Sequence, residues 1–146
     1  MKAVLQRVSS ARVTCLDHQA SIAKGFVVLV GFSPTDSIKE LEWVLQKILT
    51  LKVLGDSNKE NINEVGGELL VIPQFTLYAN VKKGNTPSFS RAAAPKFANE
   101  LFNVFKEMCL AKVKFCGFGV FGADMKITLT NEGPFTLLIE KEKVNN

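Results

Sequence analysis

Histidine is almost missing from this sequence: His18 is the only one in 146 residues. A serine or cysteine triad would have that single imidazole as its base, and His18 stands beside Asp17 in a stretch that reads as a solvated turn. No H-E-x-x-H zinc helix, no G-x-S-x-G nucleophile elbow and no G-x-x-x-x-G-K phosphate loop occurs. Metalloprotease, α/β-hydrolase and P-loop nucleotidase chemistry fall away with them. Cysteine is scarce and odd in number. Cys15, Cys109 and Cys116 form no C-x-x-C pair, so neither a disulfide framework nor a zinc site is indicated, and no metal or other cofactor is expected. Long apolar runs are absent too. The longest surrounds Phe26 to Phe32, too short for a bilayer, and Arg7 falls where a signal peptide needs its apolar segment, so a cytoplasmic location is expected.

What remains is the composition of a globular domain. With 47% hydrophobic residues, a chain of this length holds one substantial core and no surplus for a second, so residues 1–146 are expected to form one domain. Its 18 basic and 14 acidic residues leave a net charge of +4, which suits a polyanionic partner without requiring one.

Lys2 to Val8 and Ala11 to Cys15 read as strands around Ser9-Ser10, with a turn near Asp17 to Ala20 and a further strand at Phe26 to Val30 after Gly25. Ser37 and Glu40 form a capping box ahead of Leu41, Val44, Leu45 and Ile48, which share one helical face. The polar stretch Asp56 to Gly67 reads as a loop before a strand at Glu68 to Ile72, whose ladder Pro73 interrupts. Pro95 suits the first position of a second helix, with Phe97, Leu101, Val104, Phe105 and Met108 on its apolar face. Two closing strands, Met125 to Thr130 and Phe135 to Glu140, are joined through Asn131-Glu132-Gly133-Pro134. This order does not alternate strictly enough for a doubly wound parallel sheet, and an α+β domain with a mainly antiparallel, barrel-like sheet and two main helices is expected.

Two segments fit core packing poorly. Pro73-Gln74-Phe75-Thr76-Leu77 puts proline and polar residues where a strand should continue, and a bulged edge strand is one way to read it. Asn131-Glu132-Gly133-Pro134-Phe135-Thr136 reads from composition alone as a hairpin turn. Together they resemble the signature motifs S-Q-F-T-L and N-x-G-P-x-T of the D-aminoacyl-tRNA deacylases. The resemblance runs nearly end to end, through Leu5-Gln6-Arg7-Val8, Gly84, Pro87-Ser88-Phe89-Ser90 and Phe121-Gly122-Ala123-Asp124-Met125.

That resemblance implies a homodimer acting on the acceptor end of aminoacyl-tRNA, with Gly133-Pro134 of one subunit reaching into the pocket of the other. A cis peptide bond there would turn carbonyl oxygens toward the ligand's α-carbon, so that an L side chain collides with main chain and glycine partly escapes. The same resemblance implies that main-chain N–H groups around Gln74, Phe75 and Thr76 hold the developing oxyanion while the substrate's own 2′-OH helps activate water. An alternative within the family makes Thr76 a nucleophile, which requires a base this sequence lacks nearby. Arg7 would orient the Gly-Pro segment, Phe89 and Met125 would wall an adenine pocket, and Lys82 and Lys83 would meet phosphates. The chain departs from the family where Pro73 replaces the usual serine, Glu60 to Asn63 replaces a K-M-N segment and Val120 replaces a common arginine. An animal relative that clears L-alanine also carries proline-glutamine at this place but follows it with alanine, where this chain keeps Phe75; that relative and a non-catalytic tRNA-binding module are the alternatives.

Overall fold

The computed structural model describes residues 1–143; the sequence reads as a frayed tail over Glu142 to Asn146, of which positions 144–146 lie outside the described residues. Strand β1, Lys2–Cys15, is continuous. Ser9 and Ser10, expected to separate two strands, are instead exposed residues at the place where β1 changes partner, from β3 (Gly25–Gly31) to β2 (His18–Ile22). The turn is correspondingly shorter than expected: Leu16 and Asp17 make it, Leu16 at φ +45°, and His18 already pairs with Cys15.

Helix α1, Ile38–Thr50, begins at Ser37, whose N–H and hydroxyl both donate to Glu40 Oε2 at 2.7 and 2.6 Å, and it buries Leu41, Val44, Leu45 and Ile48 as expected. The loop that follows leads to β4, Glu68–Pro73. Helix α2, Pro95–Lys112, opens on Pro95, where a missing N–H costs nothing. Its buried stripe is Ala98, Leu101, Phe102, Phe105 and Cys109, rotated from the expected one: Val104 is exposed, because the small Ala98 and Cys109 let Phe102 turn into the core. Strand β5 is Cys116–Phe118 and β6 is Lys126–Glu140.

The sheet runs β2-β1-β3-β4-β5, with β6 on the opposite edge of β1. All three pairings of β1 are antiparallel, whereas β3–β4 and β4–β5 are parallel. Parallel neighbours need crossover connections, and the two crossovers are where the helices lie. Both helices pack on one face, against Phe26, Val28, Val30, Leu69 and Val71. The intervening Val27, Leu70 and Ile72 point the other way and meet Val8, Ala11, Val13 and Ile22 as the sheet curls. Burial on both faces is why β3 and β4 read as unbroken apolar runs. Gly25, at φ +157°, has no room for a side chain, since a Cβ would lie 1.9 Å from the Glu68 carbonyl oxygen.

The closing pair of strands expected as a hairpin is one strand. Both halves of β6 run in the same direction beside β1, from Lys126 opposite Thr14 to Glu140 opposite Lys2. A Gly-Pro turn is a local signal, but the direction of the chain after it depends on its neighbour, and β1 offers a ladder on both sides of the break.

Candidate active site

The break in that ladder is what builds the first half of the site. Thr136 pairs with Gln6 and Asn131 with Val8, so the single residue Arg7 stands opposite the whole segment from Glu132 to Phe135. The surplus residues have no ladder partners, and Arg7 takes their place as partner. Its Nε donates to the Glu132 carbonyl at 2.7 Å and its Nη2 to the Gly133 carbonyl at 2.9 Å, while Nη1 donates to Val53 O and Asn58 Oδ1, each at 2.7 Å. The Phe135 ring lies 4.6 Å from the guanidinium carbon. Arg7 is buried, and every group it bonds is neutral. Gln6 Nε2 donates to Asn131 Oδ1 at 2.7 Å from the adjacent position. The Gly133-Pro134 peptide bond is cis.

The second half lies at the C-terminal ends of β3 and β4. Pro73 is the last residue of β4, opposite Val30, so the proline closes the strand; β4 is an interior strand, not the bulged edge considered above. Gln74 to Tyr78 does not continue as strand. Phe75–Tyr78 forms a single 3-10 turn, with Leu77 N–H bonded to Gln74 O and Ala79 N–H to Thr76 O. The Gln74 N–H donates to the Val30 carbonyl at 2.7 Å. It is therefore committed to the sheet and is not a free oxyanion donor, which corrects part of the expectation. The N–H groups of Phe75 and Thr76 have no acceptor among the described residues. The Gln74 side-chain amide donates to Thr76 Oγ1.

An apolar cavity of about 650 Å³ opens beside this turn, walled by Pro73, Phe75, Phe89, Pro95 and Phe121. Phe75 and Phe89 are half exposed and meet edge to face, ring centroids 5.1 Å apart. Met125 does not line the cavity. It packs in the second core cluster, its sulfur against Gly119, where it backs the turn that carries Phe121. Phe121 and Pro95 are lining residues that the expected adenine pocket did not include; the F-G-A-D-M motif contained the first of them. Lys82 and Lys83 are exposed on a loop whose base is closed by Asn80 and Ser88, mutually hydrogen-bonded at 2.7 and 2.9 Å next to Phe89.

A larger cavity of about 760 Å³ lies between β2 and α2, lined by His18, Asn99, Lys106, Phe118 and Phe121 among others. Size does not make it the better candidate, since Phe121 is the only motif residue it shares. His18 there donates from Nε2 to the Phe118 carbonyl at 2.8 Å, tying β2 to β5 as a strand residue, not as a turn residue. Burial pushes the Cys116 thiol up to about 11 and the Cys109 thiol higher still, so neither is a thiolate nucleophile at neutral pH.

The two halves are offset from each other on the sheet. Arg7 is level with Phe26 and Leu69, whereas Pro73 is level with Val30 and Ala3. The Gly-Pro segment and the Pro73 turn thus differ by four residues along the strands, from Leu69 to Pro73, and by three strand spacings across β6-β1-β3-β4. On an uncurled sheet that is roughly 20 Å.

The family model for D-Tyr-tRNA(Tyr) deacylase matches residues 4–140, which include both halves. The chain belongs to the D-Tyr-tRNA(Tyr) deacylase family. It is 42% identical to a D-aminoacyl-tRNA deacylase of Clostridioides difficile (strain 630), covering 98% of this chain and 99% of that protein. It is 43% identical to one of Bacteroides fragilis (strain YCH46), covering 96% and 97% respectively. A solved structure described as a c-Myc DNA unwinding element binding protein superposes with a TM-score of 0.90 at 37% identity, covering 98% of this chain and 100% of that one. Another, described as a probable eukaryotic D-amino acid tRNA deacylase, has a TM-score of 0.82 at 17% identity and shares the fold. In this deacylase-family chain no helix among the described residues is long and apolar enough to cross a membrane.

Proposed function

We propose that this protein is a cytoplasmic D-aminoacyl-tRNA deacylase, a single domain over 1–146 that works as a homodimer and hydrolyses the ester between a D-amino acid and the terminal ribose of tRNA without a metal. The observation that carries this reading is the apolar, aromatic-walled cavity beside two free main-chain N–H groups, those of Phe75 and Thr76. A flat adenine suits the Phe75, Phe89 and Phe121 walls, and the ester carbonyl then lies within reach of those donors.

The ester needs little chemical help, because the neighbouring α-ammonium makes its carbonyl electrophilic. As charge develops on the carbonyl oxygen, the Phe75 and Thr76 N–H groups stabilise it. The substrate's 2′-OH assists the attacking water. Thr76 Oγ1 accepts from the Gln74 amide, which lowers its electron density and leaves it without a base, so water is the better nucleophile.

Chirality is read by Gly133 and Pro134 of the partner subunit's copy of the loop, for which Arg7 is the positioning residue. The offset of the two halves within one chain, four residues along the strands and three strands across, supports a site shared between two copies. So does β6, a long edge strand whose second edge is unpaired among the described residues and whose Leu129 and Leu138 are exposed, an arrangement that a second copy would cover. Met125 supports the pocket from behind. Selection by main chain rejects L side chains whatever their size, and glycine partly escapes it. Pro73, lacking the hydroxyl and N–H of the family's serine, offers the substrate neither.

The test is amino-acid release from D-tyrosyl-tRNA against L-tyrosyl-tRNA with chelator present. Rapid release of the D-residue alone supports the reading. Binding without release indicates a non-catalytic module, and preferential release of L-alanine from its tRNA indicates an enzyme of the animal type.

A further inference from the structure

From Leu69 to Asn99 the sequence contains no acidic residue, and its charged side chains are Lys82, Lys83, Arg91 and Lys96. These four account for the whole net charge of +4, because the rest of the chain holds fourteen basic and fourteen acidic residues. The charge is thus concentrated on one segment, and that segment wraps the aromatic cavity. Arg91 lies between the lining residues Ser90 and Ala92, Lys96 follows the lining residue Pro95, and the Lys82-Lys83 loop is closed at its base beside Phe89. All four are exposed, and none makes an ion pair among the described residues. The nearest acid in sequence to Pro34 on the same rim, Asp36, is buried against the Met1 ammonium at 2.7 Å.

The geometry points to a phosphate track at the rim: Arg91 and Lys96, with Lys82 and Lys83, receive the backbone phosphates of the single-stranded 3′ end whose terminal adenosine enters the cavity. This rests on the cavity being the adenosine site. Arg91 and Lys96 enter as substrate-binding residues that neither motif contains, and they make the enzyme sensitive to the polyanion as well as to the aminoacyl group. Cations that make no ion pair among the described residues give up no partner on meeting phosphate, and each contact releases condensed counterions.

The measurement is the salt dependence of binding of a fluorescent RNA hairpin ending in CCA to the wild-type protein, to Arg91→Gln/Lys96→Gln and to a control, Lys112→Gln/Lys114→Gln. Four contacts to a single strand give a log–log slope of about −2.8, so a fourfold rise in salt weakens binding ~50-fold. Removing two contacts lowers the slope to about −1.4 and the loss to ~7-fold, while the control keeps the wild-type slope. A wild-type slope in Arg91→Gln/Lys96→Gln, or an equal loss in the control, overturns the track. In parallel, wild-type KM for D-tyrosyl-tRNA rises with salt while that for 3′-O-D-tyrosyl-adenosine, which has no phosphate, does not; equal salt dependence of the two also overturns it. If the RNA slopes behave as stated but neither ester is cleaved, the track stands and the deacylase reading fails.

Discussion

Replacing Arg7 by lysine keeps the charge on β1 and removes the fork. The guanidinium spans four acceptors on two segments, Glu132 and Gly133 of the Gly-Pro excursion and Val53 and Asn58 of the loop after α1. An ammonium is a point donor on a flexible stem and cannot reach both segments in that geometry. Two of the four bonds should be lost. Charge-assisted bonds contribute about 1.5–3 kcal/mol each, but Glu132 and Gly133 are exposed and their carbonyls can return to water, so the low end applies. The expected loss is about 3 kcal/mol, a fall in Tm of about 6–12 °C for a chain of this size. Melting should be followed at fixed protein concentration, since stability and association are linked in the proposed dimer. The functional readout is the ratio of D- to L-tyrosyl-tRNA hydrolysis, expected to fall at least about tenfold as the Gly-Pro carbonyls lose their fixed position. Arg7→Lys with unchanged discrimination and a stability within about 0.5 kcal/mol of wild type would refute the assignment of Arg7 as the positioning residue.

Thr76→Ala should retain turnover to within about tenfold, because the main-chain donors remain; a loss beyond about a thousandfold with RNA binding intact would restore the nucleophile model. Glu40→Gln should cost about 1 kcal/mol at pH 7 through the capping box. The Ser37 hydroxyl, as the largest cause, holds the Glu40 carboxyl below its ordinary 4.5, so this stabilisation is present at neutral pH and disappears as pH falls below 4.5 through the lowered folded value; urea melts of both proteins from pH 7 to 3 should converge. Leu138→Lys, at a position 62% exposed in one chain, should shift sedimentation toward monomer and abolish deacylation together; an unchanged dimer would remove β6 from the interface.

Local signals accounted for much of the architecture. Ser37 and Glu40, Pro95 and the apolar spacing of α1 act within a few residues of themselves, so they were legible without a fold. The apolar runs of β3 and β4 marked strands, though neither their burial on both faces nor their parallel pairing, which depend on the crossovers. The second helix shows the limit. Its periodicity located the element, but which of Phe102 and Val104 turned inward depended on the space left by Ala98 and Cys109 against the sheet.

The two motifs themselves belonged to the sequence alone, since residue order carried the resemblance to the deacylases before any coordinate. Their geometry did not. A glycine-proline pair specifies a turn, and only the continuous β1 beside it made that turn an excursion from a single strand with Arg7 as its substitute partner. Main-chain N–H groups are the same for every residue but proline, so no pattern of side chains could say that Gln74 spends its own on Val30 while Phe75 and Thr76 keep theirs free. Met125 and Phe121 are four residues apart in one motif, and tertiary packing set both against core clusters but only Phe121 on the cavity wall. Chemistry carried by side-chain identity was written in the sequence; chemistry carried by backbone position appeared only when the chain was folded.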